Sequence, residues 1–389
     1  MNFCYVPPER VTIRTRADLA RCRHWASAFA GERKDHRYYE LVEDTLHPEF
    51  EYRYFAIEDG AGTIRAIQPF FILDQDLCVG AGARLGKAVE RVRLLWPRFM
   101  RLRTLMVGCV AGEGHLDAAD EPSGRSYAGL LAEAIVQAAR DLGARLVVLK
   151  EFPAKYRASL RCFLAQGFTR LPSMPMTRVG IEYASFEDYM NRALNSATRT
   201  KLRRKFRATR NGPAVEMSVV ADVSPVIDEI YPLYLNVYER SKLRFEKLTK
   251  EYLCALGQRM PDKTRFFLWR REGRIVAFAV CLLQGRSFCP EYIGLDYALA
   301  LDLHLYHCAY RDMVSWAIAQ GYNELRSSGL NYDPKLHFRH VLDPLDLYVR
   351  HTSRAANAAL RLLLPWLDPT RNDAVLPKFP NFHELRGAG

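Results

Sequence analysis

One order of elements appears twice along this chain. In "TRFFLWRREGRIVAFAVCLL" (264–283) two alternating runs flank Glu272-Gly273, which predicts strand, tight turn, strand; "YRYFAIEDGAGTIRAIQPFFI" (52–72) has the same form around Asp59-Gly60. Each hairpin precedes an apolar strand that ends near a glycine, "RTLMVGC" (103–109) and "CPEYIGLD" (289–296). A loop and a long helix follow each, "SYAGLLAEAIVQAARDLG" (126–143) and "LYHCAYRDMVSWAIAQG" (305–321). Leu130, Leu131, Ala134, Ile135 and Ala138 keep core-facing helical spacing, as do Tyr306, Ala309, Tyr310, Met313, Val314 and Ala317. Gly143 and Gly321 suit helix C-caps, and a further strand starts after each, 144–152 and 322–330.

The offset between copies falls from 211 residues (Gly62 to Gly273) to 178 (Gly143 to Gly321). The first copy therefore carries a surplus before its helix, most of it in 74–100. Two similar α/β (α+β) lobes in tandem are the simplest account, and 389 residues suffice for two cores. We expect an N-terminal lobe over 1–184, a second over 185–350, and a C-terminal helix and tail over 351–389.

Composition narrows the function. With 49% hydrophobic and 26% charged residues the chain is an ordinary globular one, and its net charge of +12 favours an anionic partner: nucleic acid, a phosphorylated cofactor or membrane headgroups. Nine cysteines without a CxxC pair fit reduced thiols, and no zinc-ligand spacing appears, so no metal is expected. The opening "MNFCYVPPERVTIRTRADLARC" lacks a basic segment followed by an apolar run, and no stretch has the length of a membrane span. A cytoplasmic protein is expected.

The charge is densest in "SATRTKLRRKFRATR" (196–210), where Arg199, Lys201, Arg203, Arg204, Lys205, Arg207 and Arg210 stand without an acid. Leu202 and Phe206, four apart, would anchor a helix there, with Asn195 or Ser196 as its cap and Arg199, Arg203, Arg207 and Arg210 in a stripe beside them. Such a face is either solvated surface or a phosphate grip. A DNA reader would place a recognition helix in a small helical domain, whereas this segment adjoins an α/β lobe.

The basic helix, the hairpin "WRREGRIVAFAV", and "YIGLD" leading to a helix that ends "WAIAQGYNEL" together resemble the GCN5-related N-acetyltransferase (GNAT) fold, in its tandem FemAB and BioF2-like branch. The likeness covers most of 1–345 and is strongest over 185–345. It implies two GNAT-like lobes, each a mixed, mostly antiparallel sheet flanked by helices, the first degenerate and serving as support and acceptor wall. It also implies transfer of an acyl group from an activated donor to the amine of a small-molecule or cell-envelope precursor, with no metal and no tightly bound cofactor. Acyl-CoA or acyl-carrier protein would be the donor. The alternatives are a FemAB-like peptide ligase using aminoacyl-tRNA and a non-catalytic nucleic-acid-binding protein; peripheral membrane contact is compatible with all three.

Site residues follow from the same resemblance. The backbone of Tyr292-Ile293-Gly294 would bind the developing oxyanion. Glu291 would be the base, directly or through water, with Asp296 as its rival, and Tyr292 and Tyr297 serve as general acid or as stacking surfaces. Arg199, Arg203, Arg204 and Arg207 would grip the donor's phosphates. Tyr238, Glu239 and Lys242, with Arg240, lie where relatives bind acceptors, and Lys335 and Arg339 lie where the branch places a lysine entering the site. His304 and His307 read as ordinary histidines. One departure stands out: no glycine-rich amide cradle for CoA opens the second lobe's long helix ("ALALDLHLYHC"), and the first lobe offers only Gly124-Arg125-Ser126. Finally, "TSRAANAALRLLLPWLDP" (352–369) predicts an amphipathic helix that docks on the protein or touches a membrane.

Overall fold

The computed structural model describes residues 9–46, 50–76, 91–96, 101–209, 213–241 and 245–387; Lys242, Arg210 and most of the 74–100 surplus lie outside them. The first repeat builds β1 (Arg10–Arg14), α1 (His36–Thr45), β2 (Glu51–Glu58), β3 (Ile64–Asp76), β4 (Arg101–Val107), α2 (Glu121–Asp141), β5 (Leu146–Pro153) and β6 (Thr169–Pro172). β7 (Met176–Gly180), α3 (Phe186–Ala193) and the basic helix α4 (Ser196–Ala208) connect it to the second. That repeat builds β8 (Val215–Val220), α5 (Ile227–Arg240), α6 (Lys250–Arg259), β9 (Thr264–Arg271), β10 (Arg274–Gln284), β11 (Ser287–Leu295), α7 (Leu305–Ala319) and β12 (Glu324–Ser327). A short helix (Tyr332–His337), β13 (Val341–Asp343), β14 (Leu345–His351) and α8 (Arg354–Leu363) follow.

Both expected hairpins form. Glu272 and Gly273 take φ of 51° and 80°, the left-handed pair that a two-residue turn between twisted strands requires. Asp59 closes the other turn by accepting from the Ala61 and Thr63 amides at 2.9 and 3.0 Å.

Sheet membership does not follow chain order. One seven-stranded sheet runs β1-β2-β3-β4-β5-β14-β6, the other β13-β7-β12-β11-β10-β9-β8. Each lobe thus gives the other one strand. β14, from the end of the second repeat, fills the slot between β5 and β6, and β7, from the end of the first, fills the slot between β12 and β13. Both slots are antiparallel, so each strand satisfies two neighbours' backbone groups that a lobe alone would leave open.

Three large apolar clusters result. α2 covers one face of the first sheet, and α3, α4 and α7 cover one face of the second. The remaining faces of both sheets meet around α1, α5 and α6 in a shared inter-lobe core that includes Tyr54, Phe71, Tyr234, Tyr252, Phe278 and Val280. α8 packs through Leu360 and Leu364 onto this core, while Leu362, Leu363 and Trp366 are exposed.

Candidate active site

The second lobe's site geometry starts from a defect in β11. Val280 pairs with Tyr292 and Cys281 with Pro290, so Glu291 is an extra, unpaired residue, a β-bulge. On its other side β11 pairs with β12 only at Ser287 and Phe288, after which the two parallel strands part. The bulge turns both Glu291 and Tyr292 toward the inter-lobe core. Gly294 completes the segment: a Cβ there would stand 2.2 Å from the Phe278 ring and 2.8 Å from the Leu233 backbone, so no larger residue fits between β10 and α5.

First-lobe side chains meet the bulge in a buried ionic knot. Arg33 and Lys34, both fully buried, come from the loop before α1, and Glu113 from the loop after β4. Arg33 Nε donates to Glu291 Oε1 at 2.7 Å and its Nη2 pairs with Glu113; Lys34 Nζ lies 3.0 Å from Glu113 and 3.4 Å from Glu291. Two cations balance two carboxylates. Both oxygens of Glu291, the expected base, are therefore engaged. Burial alone would raise its pKa, but Lys34 and Arg33 outweigh burial and hold the carboxyl below its ordinary range.

Sequence reasoning missed this knot. The signal that marks it is Gly112-Glu113-Gly114: a Cβ at Gly112 would fall 1.9 Å from Lys34 Nζ and one at Gly114 2.7 Å from the Phe152 ring. These glycines let the loop after β4 lie against Lys34 and β5, which sets Glu113 beside Arg33 and Lys34 to meet the second lobe's Glu291.

Lys335 lies at the other end of the β11 segment. Its ammonium donates to the carbonyls of Ser328 at 2.5 Å and Leu330 at 2.9 Å, and Ser328 Oγ in turn donates to the Glu291 carbonyl at 3.2 Å. Leu330 and Asn331 both take left-handed φ (70° and 49°) to aim those carbonyls. Among the described residues no carboxylate pairs with Lys335, and burial pushes its pKa down to about 7. The neighbouring His340, between Tyr310 and Thr177, is pushed to about 3 by burial and by Lys335.

The basic helix forms as expected, capped by Asn195, with Leu202 and Phe206 buried. Its cations divide into two kinds. Arg199 donates to the carbonyls of Asn191 and Leu194 at the end of α3, Arg203 pairs with Glu187, and Lys205 contacts His307 at 2.7 Å. Lys201, Arg204 and Arg207 are exposed and without a salt bridge among the described residues. His307 titrates near 4, lowered by burial and by Lys205.

The remaining candidates are spread around this centre. Tyr292 donates to Glu246 at 2.8 Å. Asp296 caps the turn at Tyr297–Ala300 and pairs with Arg274 at 3.1 Å. Tyr297 carries the Arg240 guanidinium 4.1 Å over its ring, Tyr238 packs on Tyr234, and Glu239 is exposed at the end of α5. Arg339 donates to the Ala193 carbonyl at 3.3 Å.

The expected Gly124-Arg125-Ser126 cradle is corrected: these residues lie inside α2, where the Gly124 amide donates to the Asp120 carbonyl at 3.0 Å and Asp120 itself caps the helix. In the second lobe the amides of Leu303 and His304 are taken by Leu299 and Leu301, and His304 enters α7 with a left-handed φ of 47°.

With this geometry established, comparison places the fold. Residues 196–335 match the acetyltransferase (GNAT) domain family. Similar solved structures include L-PGS from Bacillus licheniformis, at 12% identity and a TM-score of 0.52 over 86% of this chain and 96% of that one. FemX matches at 12% identity and 0.50 over 80% and 90%, and a tandem GNAT protein from the clavulanic acid biosynthesis pathway at 9% and 0.50 over 89% and 99%. At these identities the likeness is one of fold. No curated protein matches the sequence. Among the described residues no helix is long and apolar enough to cross a membrane.

Proposed function

We propose that this tandem GNAT-fold chain, with its FemX-like architecture, is an N-acyltransferase that forms an amide beside the β11 bulge, with Lys335 protonating the donor's leaving group. The observation that carries this reading is Lys335 itself, a buried ammonium whose hydrogen-bond partners among the described residues are carbonyls and whose pKa burial lowers to about 7. A lysine at that value gives up and regains a proton at neutral pH, as an acid catalyst must. The acceptor nitrogen attacks the acyl carbon, the carbon–oxygen or carbon–sulfur bond breaks, the leaving alkoxide or thiolate takes the Lys335 proton, and the proton shed by the nitrogen as it becomes an amide restores the ammonium through solvent. The open backbone edge of β11 after Phe288 is the natural oxyanion donor.

The donor reading we favour is an acyl group on a polyanionic macromolecule, acyl-carrier protein or tRNA, over free CoA. The amides of Gly124 in α2 and of Leu303 and His304 before α7 are already bonded, whereas Lys201, Arg204 and Arg207 offer exposed side-chain cations. The acceptor is an amine of a small-molecule or cell-envelope precursor.

Hydroxamate formation tests this reading. Pooled aminoacyl-tRNA, acyl-carrier protein thioester and acetyl-CoA are each offered with hydroxylamine as acceptor, with and without ribonuclease. We expect turnover with one of the carrier-borne donors and its loss in Lys335→Met. Turnover undiminished in that variant overturns the acid role, and no hydroxamate from any donor overturns acyl transfer.

A further inference from the structure

We infer that the inter-lobe cluster of side chains around Glu246 is the acceptor site, taking a primary alkylammonium whose proton passes to the Glu246 carboxylate. This rests on the acyl-transfer reading above and supplies the base that the ion-paired Glu291 cannot be.

Four observations support the assignment. Glu246 lies before α6, close to Leu248, which is held in place: Tyr234 Oη accepts from the Leu248 amide at 2.9 Å and Tyr231 donates to the Leu248 carbonyl at 3.1 Å. Tyr292, beside the bulge, donates to Glu246 Oε1 at 2.8 Å, which ties the carboxylate to the strand segment that carries the chemistry. The walls are aromatic. Phe245 stacks on Phe50 at 6.1 Å and meets Phe71 edge-on at 6.3 Å, and Lys150 holds its own ammonium 5.0 Å over the Phe245 ring. An alkylammonium thus already lies within this wall as part of the fold.

Charge gives the fourth observation. Lys150 donates to the Gly112 carbonyl at 2.9 Å and to Glu151 at 2.7 Å, so its charge is matched by Glu151. Glu246 is left over: among the described residues no cation stands within salt-bridge distance of it. The groups facing it are Lys150 and Glu151 from β5, Tyr292 from β11, Tyr52 from β2, Tyr234 from α5 and Tyr252 from α6. In consequence its pKa is raised, by burial first and by Glu151, with Lys150 and Tyr292 only partly offsetting this. Glu32, Glu113 and Glu291, the other carboxylates between the lobes, are all lowered.

The proton balance closes. Two protons leave the R–NH3+ nitrogen: Glu246 takes the first, the free amine attacks the acyl carbon, Lys335 gives its own proton to the departing alkoxide or thiolate, and the second nitrogen proton, shed as the intermediate collapses to the amide, restores the Lys335 ammonium through solvent. Lys335 adjoins Cys289 and Glu246 adjoins Tyr292, three residues apart, or about 10 Å of strand. Acid and base therefore adjoin opposite ends of the same short strand segment.

Two acceptors separate this idea from the one beneath it. Hydroxylamine is neutral at pH 7 and needs no base, whereas n-butylamine is an ammonium and does. With the donor found active above, Glu246→Gln should lower the n-butylamine rate by about a hundredfold and the hydroxylamine rate by far less. Tyr292→Phe, which removes the phenol donor, should move the acid limb of the n-butylamine pH profile upward. Equal loss with both acceptors, no loss with n-butylamine, or an unmoved acid limb in Tyr292→Phe overturns the assignment. Wild-type turnover of hydroxylamine but not of n-butylamine overturns it as well, while turnover of neither sinks the acyl-transfer reading instead.

Discussion

Gly294 has no room for a methyl group, so Gly294→Ala must push Phe278 or α5 aside. Overpacking of this kind costs about 1–3 kcal/mol, and thermal unfolding should register it as a lowered midpoint. Arg33→Met is the harsher change, because it leaves Glu113 and Glu291 buried with one cation between them; a loss of about 3–5 kcal/mol in denaturant titration is expected. Lys335 adds a pH signature. Its pKa falls from 10.5 in the free side chain to about 7 in the fold, so between those values the unfolded chain binds a proton that the folded chain does not. Stability should rise with pH across that window, and Lys335→Met should flatten the rise. At this scale the sequence was partly readable. Lys335, Glu291 and Tyr292 could be singled out because they sit on or near a motif, but their partners Arg33, Lys34, Glu113 and Glu246 come from loops far away in sequence. No periodicity marks a residue whose role depends on a contact about 250 positions distant, as with Arg33 and Glu291.

The basic helix shows how one element can serve two purposes. Arg199 and Arg203 tie α4 to the end of α3, and being surface contacts their loss to alanine should cost no more than about 1 kcal/mol with donor binding unchanged. Charge reversal at Lys201, Arg204 and Arg207 should instead weaken donor affinity and reduce its salt dependence, leaving the unfolding midpoint nearly fixed; a titration at two ionic strengths separates the cases. Helical spacing alone could not make this division, since Arg199 and Arg203 share one stripe with Arg207. Elsewhere spacing did well. α7 buries Ala309, Tyr310, Met313, Val314 and Ala317 as its pattern implied. In α2 the pattern was partly off: Leu131 and Ile135 are buried, but Leu130, Ala134 and Ala138 are half-buried, and the buried face runs through Ala128, Ala132, Val136 and Ala139 instead.

Across the whole molecule, the tandem repeat was legible because each copy repeats the order of its elements, whereas the exchange of β7 and β14 was not. Short strands such as "MTRVG" and "LDLYVRH" state their own conformation but not which sheet accepts them. The exchange makes the two lobes one cooperative unit. A chain ending at residue 344 lacks β14, whose Asp346 also pairs with Arg157 at 2.6 Å, and should not reach a folded first lobe by circular dichroism and proteolysis. The intact chain should melt in a single calorimetric transition rather than two.

The same exchange sets a clock on biosynthesis. β6 leaves the ribosome roughly 170 residues before β14, which at common elongation rates is about 10–35 s. During that interval the facing edges of β5 and β6 have no strand between them, and β7 waits for β12 and β13 to be made. The nascent protein must therefore keep the open β5/β6 slot and the unpaired β7 from the wrong partner until about its last sixth emerges.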